Sequence, residues 1–184
     1  MKATTQKFIE IEGVLDDVLI LSGRRACLVL EVTAANFALM NKEEQDGKIA
    51  SYASLLNSLS FPIQIVIRSK KLDISNYLKL LETKENESLN LPLKERIKEY
   101  RAFIADLVKV NTVLDKKFYI VAPYTFLEKP GADFIASAKS SLRSKAESLK
   151  SQLTRLNIPS KTLKQEELIK LFYELYNEDR EGGF

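Results

Sequence analysis

The 184-residue chain has no histidine, no tryptophan and a single cysteine. Without histidine there is no histidine-based serine or cysteine triad, no histidine general base and little scope for a zinc site. A lone cysteine excludes an intramolecular disulfide and fits a reducing, cytoplasmic compartment. Cys27 lies in the apolar run Ala26, Cys27, Leu28, Val29, Leu30. That setting predicts a small core residue rather than a nucleophile. Long hydrophobic runs are missing too. Val18, Leu19, Ile20 and Leu21 make a stretch far too short to span a bilayer. The first residues hold no apolar core of signal-peptide length. Any membrane association is therefore expected to be peripheral or through a partner.

A strong charge of either sign is lacking as well. Lys and Arg number 28 against 25 Asp and Glu, a net +3 that argues neither for nor against nucleic acid. What is present is ordinary globular material, 45% hydrophobic and 29% charged, which excludes wholesale disorder. A chain of this length suits one domain and can bury a core without disulfides or metals.

Nucleotide and metal motifs fail on inspection. A phosphate loop needs glycines whose N–H groups wrap phosphate, followed by Lys and a hydroxyl residue. The Gly47-Lys48 pair puts Lys42 where the first glycine belongs and Ile49 where the hydroxyl belongs. A dinucleotide-binding glycine turn and an EF-hand are absent, and Asp16-Asp17 reads as turn chemistry between strands. Glu10, Glu12 and Glu31 could line one end of a sheet in the manner of a metal-dependent nuclease. Solvent-facing strand positions are the expected role. No catalytic, cofactor-binding or metal-ligating residue is assigned.

Short β-rich runs open the chain: Phe8, Ile9 and Ile11, then 18–21, a Ser22-Gly23 turn, and 26–32. They predict an antiparallel meander. Asn41 with Glu44 three residues on is a capping-box start. Ile49, Tyr52, Leu56 and Leu59 follow at helical spacing. Phe61-Pro62 breaks that helix, and the alternation of Ile63, Ile65 and Ile67 predicts a strand. A second helix carries Ile74, Tyr77, Leu78 and Leu81, and 82–90 reads as a loop. Pro92 opens a third helix with Leu93, Ile97, Tyr100, Ile104, Leu107 and Val108 on one stripe. A short strand at 118–122 is expected to end at Pro123, and Lys129-Pro130-Gly131 falls in the loop beyond it. The most regular helix spans about 133–156, with Phe134, Ala138, Leu142, Leu149, Leu153 and Leu156 on one face. Asn157-Ile158-Pro159 ends it. A brief extended segment and a last helix with Leu168, Phe172 and Leu175 inward complete the order, and 178–184 reads as a polar tail. The fold class is α+β: a single domain with a mixed, largely antiparallel sheet, an N-terminal β-meander and about five helices packed on it. The strand–helix–strand returns allow a parallel neighbour through a right-handed crossover.

Basic residues gather in two places. Arg68, Lys70 and Lys71 follow the fourth strand. In the helix at 134–164, Lys139, Arg143 and Lys150 fall on one narrow stripe beside the apolar face. The stripe is a possible footprint for polyanion, a nucleic acid or an anionic surface, and no aromatic residues interleave with it for base stacking. A solvated helix face is the plainer expectation.

Several segments taken together point to a known family. They include Thr5-Gln6-Lys7-Phe8-Ile9, Leu28-Val29-Leu30-Glu31-Val32 and Asn36-Phe37-Ala38-Leu39. The longest is Leu56-Asn57-Ser58-Leu59-Ser60-Phe61-Pro62-Ile63-Gln64-Ile65-Val66-Ile67-Arg68-Ser69. Later pieces are Lys117-Phe118-Tyr119-Ile120-Val121 and Leu171-Phe172-Tyr173. From about residue 5 to 177 the chain resembles the TraC-like domain, the amino-terminal part of the conjugation ATPases of bacterial type IV secretion systems. The resemblance implies a non-catalytic docking domain, set at the cytoplasmic face of the membrane through its partners. Those partners would be a motor ATPase, which carries the phosphate loop in its own carboxy-terminal part, and inner-membrane secretion components. The chain stops where that motor would begin, so any ATPase activity is expected in a separate domain or protein. DNA contact is a possible addition; no cofactor and no small-molecule substrate are expected.

Overall fold

The computed structural model describes residues 9–71, 74–110, 114–126 and 133–177. Lys129-Pro130-Gly131, the 178–184 tail and Phe8 lie outside them. Six strands and five α-helices follow the expected order. These are β1 (Ile11–Leu15), β2 (Val18–Leu21), β3 (Arg25–Val32), α1 (Lys42–Ser58), β4 (Gln64–Lys71), α2 (Ser75–Glu87), α3 (Leu91–Val110), β5 (Leu114–Thr125), α4 (Phe134–Arg155), β6 (Ser160–Thr162) and α5 (Gln165–Tyr176). A short 3-10 turn, Phe37–Leu39, precedes α1.

The sheet runs β1-β2-β3-β5-β4, with β6 on the far end of β3. The β1–β2, β2–β3, β3–β5 and β3–β6 pairings are antiparallel. The expected parallel neighbour is not among these pairings. Asp16 and Asp17 form the two-residue loop between β1 and β2, with Leu15 opposite Val18. Asp16 takes φ 59°, a left-handed conformation that Asp tolerates because its short side chain can bond locally. Gly23, at φ 71°, serves the next turn.

The chain divides into two compact units. Unit 1 is Met1–Ile67 with Lys117–Phe184, and unit 2 is Arg68–Lys116. Unit 1 holds the core. Val18, Ile20, Ala26, Leu28, Leu30, Ile120 and Ala122 face α4, which contributes Ala138, Leu142, Ala146, Leu149 and Leu153. The stripe read from the sequence is thus the buried one, and Asp133 caps α4 by accepting from the N–H groups of Ile135 and Ala136. On the opposite sheet face, Val29 and Tyr119 pack with Leu163, Leu168 and Leu171 of the α5 region. In α5 Leu168 and Leu171 are buried and Phe172 packs against them, whereas Leu175 is 38% exposed.

Unit 2 contains α2 and α3 together with the ends of β4 and β5. Arg101 reaches Glu85 at 3.2 Å and Glu82 at 3.6 Å between the two helices. Asn90 caps α3 by accepting from the N–H of Leu93 at 3.2 Å.

Three local expectations are corrected. Residues 82–87 belong to α2, not to a loop, because Glu and Lys are good helix formers and Lys84 pairs with Glu87 one turn on. The strand at 118–122 is longer, Leu114–Thr125, and runs through Pro123, which lies opposite Cys27. Pro123 takes one N–H from the ladder, but Tyr124 and Thr125 keep register with Ala26 and Arg25. In α1 the inward residue is Leu55; Ile49, Tyr52 and Leu56 are 42–55% exposed. The capping box is present, with Asn41 and Glu44 each accepting from the other's backbone N–H.

Candidate docking surfaces

The α4 stripe meets carboxylates supplied by the first turn of the sheet. The Lys139 ammonium donates to Asp16 at 2.8 Å. The Arg143 guanidinium donates to both oxygens of Asp17, at 2.9 and 3.2 Å, and lies 3.6 Å from Asp16. Lys150 pairs with Glu147 at 2.9 Å. The Lys139 ammonium holds the Asp16 carboxyl below its ordinary value, and Asp17 raises the Arg143 guanidinium. All three cations lie on α4, and each already has an acidic neighbour.

The second basic group is dispersed by the strand that carries it. Arg68 is buried, Lys70 is exposed, and the side chain of Lys71 lies outside the described residues. Arg68, Lys70 and Lys71 belong to unit 2 and the α4 stripe to unit 1.

Other charges are structural. Lys145 donates to the Pro123 carbonyl at 2.7 Å, its ammonium 5.0 Å from the Phe61 ring, and its burial lowers its pKa. Lys161 bridges Glu167 at 2.8 Å and Glu31 at 3.1 Å, and both bonds raise its pKa. Glu10 is paired with Arg25 at 2.8 Å. Glu10 and Glu31, two of the three carboxylates considered for metal binding, are thus paired with cations, and no group of three metal-binding side chains occurs among the described residues.

The feature that sequence reasoning missed is an apolar groove of about 960 Å³ on the α5 face of unit 1. Its floor is Leu19, Leu21, Cys27, Val29 and Val121, and Phe172, Leu175 and Tyr176 form one wall. A signal for it was present. The run 26–30 is apolar at every position, the mark of a strand covered on both faces. α4 covers one face, and the 12-residue α5 covers only part of the other. The Cys27 thiol has its pKa pushed up to about 11 by burial, which leaves it protonated and weakly nucleophilic at neutral pH.

More apolar surface is exposed elsewhere: Ile49, Tyr52 and Leu56 on α1, and Ile65 and Ile67 on β4, the strand at one end of the sheet order. No helix among the described residues is long and apolar enough to cross a membrane.

A scaffold with a solid core, paired charges and open apolar surface is what a binding module needs, and comparison with known proteins gives it a family. The model of the archaeal TraC-like domain matches residues 16–178. The chain belongs to that family. Membership agrees with the resemblance seen in the sequence, with an archaeal description where the sequence suggested bacterial systems. It ties the domain to the conjugation and secretion theme. No curated protein matches the chain.

Proposed function

We propose that this TraC-like domain is a non-catalytic docking component of a type IV secretion or conjugation machine. It would link a phosphate-loop motor ATPase to inner-membrane components from the cytoplasmic side. The observation that carries the reading is the family match over residues 16–178, a span without a phosphate loop. The open apolar groove beside α5 supports it, since concave, mostly apolar clefts are where binding sites are usually found.

The test is co-purification of the full chain with the motor ATPase and membrane components of the same secretion system. Retention of the motor, with no ATP turnover by the chain alone, is the expected result. Failure to bind any secretion component, or ATP hydrolysis by the isolated chain, would overturn the proposal. Contact with DNA through Lys139, Arg143 and Lys150 has less support, because each is paired with a carboxylate. Binding of single-stranded DNA that weakens steeply with salt and vanishes when these three are changed to Glu would establish it.

A further inference from the structure

Unit 2 contains no buried hydrophobic side chain among its described residues; its one buried residue is Arg68. On α2 and α3, Leu78, Leu81, Ile97 and Ile104 are half-buried, the positions expected at the seam of the two helices. A second, outward apolar face runs beside it. On α3, Leu93, Tyr100, Phe103 and Leu107 are 51%, 46%, 60% and 41% exposed. At about 100° per residue they fall within one arc. On α2, Tyr77 and Leu80 are 42% and 53% exposed, again on one side of the helix. The Tyr77 and Tyr100 hydroxyls lie 3.4 Å apart, which joins the two stripes into one two-helix surface.

We infer that this face is a self-association surface, on which two copies of the chain pair their α2–α3 hairpins into a four-helix bundle. Area and charge select a second copy as the occupant. Six side chains, each roughly half open, expose about 500–600 Å² together, given about 150–250 Å² for a whole aromatic side chain. The aliphatic stems of Lys84 and Arg96 widen the patch. A specific interface draws about 600–1,000 Å² from each partner, so one patch set against an identical one reaches the lower end of that range. From Ser75 to Val110 the sequence holds seven cationic and six anionic side chains. A surface built for a strongly charged partner would carry the opposite sign. A near-neutral one of mixed sign can lie on its own copy without net repulsion, as an isologous two-fold contact requires. Closing the hairpins on each other is also the ordinary way for paired amphipathic helices to bury a second face.

The proposal stands independently of the docking role, because it concerns copies of this chain alone. Sedimentation analysis of the full-length protein across the micromolar range should show a reversible dimer. Phe103→Glu should raise the dimer dissociation constant at least thirtyfold, equivalent to ~2 kcal/mol, while far-UV circular dichroism keeps its helical signal. Phe103→Ala serves as a second variant should the glutamate unfold the hairpin; it should weaken the dimer in the same direction. Tyr52→Glu, at an equally exposed tyrosine on α1, should leave the dimer intact. A protein monomeric throughout the range, a dimer indifferent to both Phe103 variants, or one weakened as much by Tyr52→Glu would overturn the inference.

Discussion

Unit 1 and unit 2 are made of similar material and use it differently. In unit 1, leucines and valines from five strands, α4 and α5 close into two clusters, and Leu28, Leu30, Leu142, Leu149 and Leu168 are fully buried. In unit 2, leucines, isoleucines and aromatics of the same kind line two helices, and among the described residues none of them is buried. Folding free energy scales with apolar area removed from water, so most of it resides in unit 1. The apolar residues of unit 2 are left to act at a surface. Hydrophobic composition alone therefore does not say whether a segment stabilises its own fold or offers itself to another.

That contrast can be broken at its strongest point first. Leu142→Ala on α4 or Leu28→Ala on β3 should cost about 3–5 kcal/mol, the range for a leucine removed from a packed core. The measurement is the urea midpoint at unchanged slope. Ile104→Ala, in the seam of the hairpin, should cost less than about 2 kcal/mol, because a half-exposed site loses less area and can collapse. A loss equal to that of Leu142→Ala would erase the distinction between the units. Asn41→Ala should cost ~1 kcal/mol by removing one half of the α1 capping box.

The smallest effect is the acid limb of unit 1. The Asp16 carboxyl is held below its ordinary 3.8 chiefly by its hydrogen bond to Lys139. A group whose folded pKa is depressed adds stability that is complete above the unfolded value and is lost as pH falls through the folded one. Asp16→Asn should therefore lower stability slightly at neutral pH and flatten the profile below about pH 4, where the wild-type contribution is lost anyway. An acid limb identical in the two proteins would remove this pair from the account.

Much of this architecture was legible in the sequence. Leu142, Leu149 and Leu153 recur on a helix without competing stripes, so their burial followed from spacing alone. The capping box at Asn41 and the strand sequence 18–32 were equally direct. α1 misled because its apolar residues cover a broad arc. Ile49, Tyr52 and Leu56 share one edge of it, and Leu55, next to them, is the one that joins the core. Periodicity finds a face but not which of its edges meets the core. Pro123 looked like a strand end because local rules do not register a ladder already held on both sides. The basic stripe was found, but its partners were not: Lys139 and Asp16 are 123 residues apart in the chain. Only the pairing of β1 with β2, and the packing of α4 on the sheet, bring them together. The groove was missed for a related reason, since strand composition announces that a face will be covered without saying how completely.

Cys27 sits on the floor of that groove, and it is the sole sulfhydryl of the chain. The rate at which a thiol reagent modifies it therefore reports on one place in the fold, the groove floor beside α5. Native protein needs no engineered label for such an experiment. Slow modification of the free protein that slows further when a binding protein is added would locate that protein over the groove; acceleration would mean that α5 is displaced to admit it.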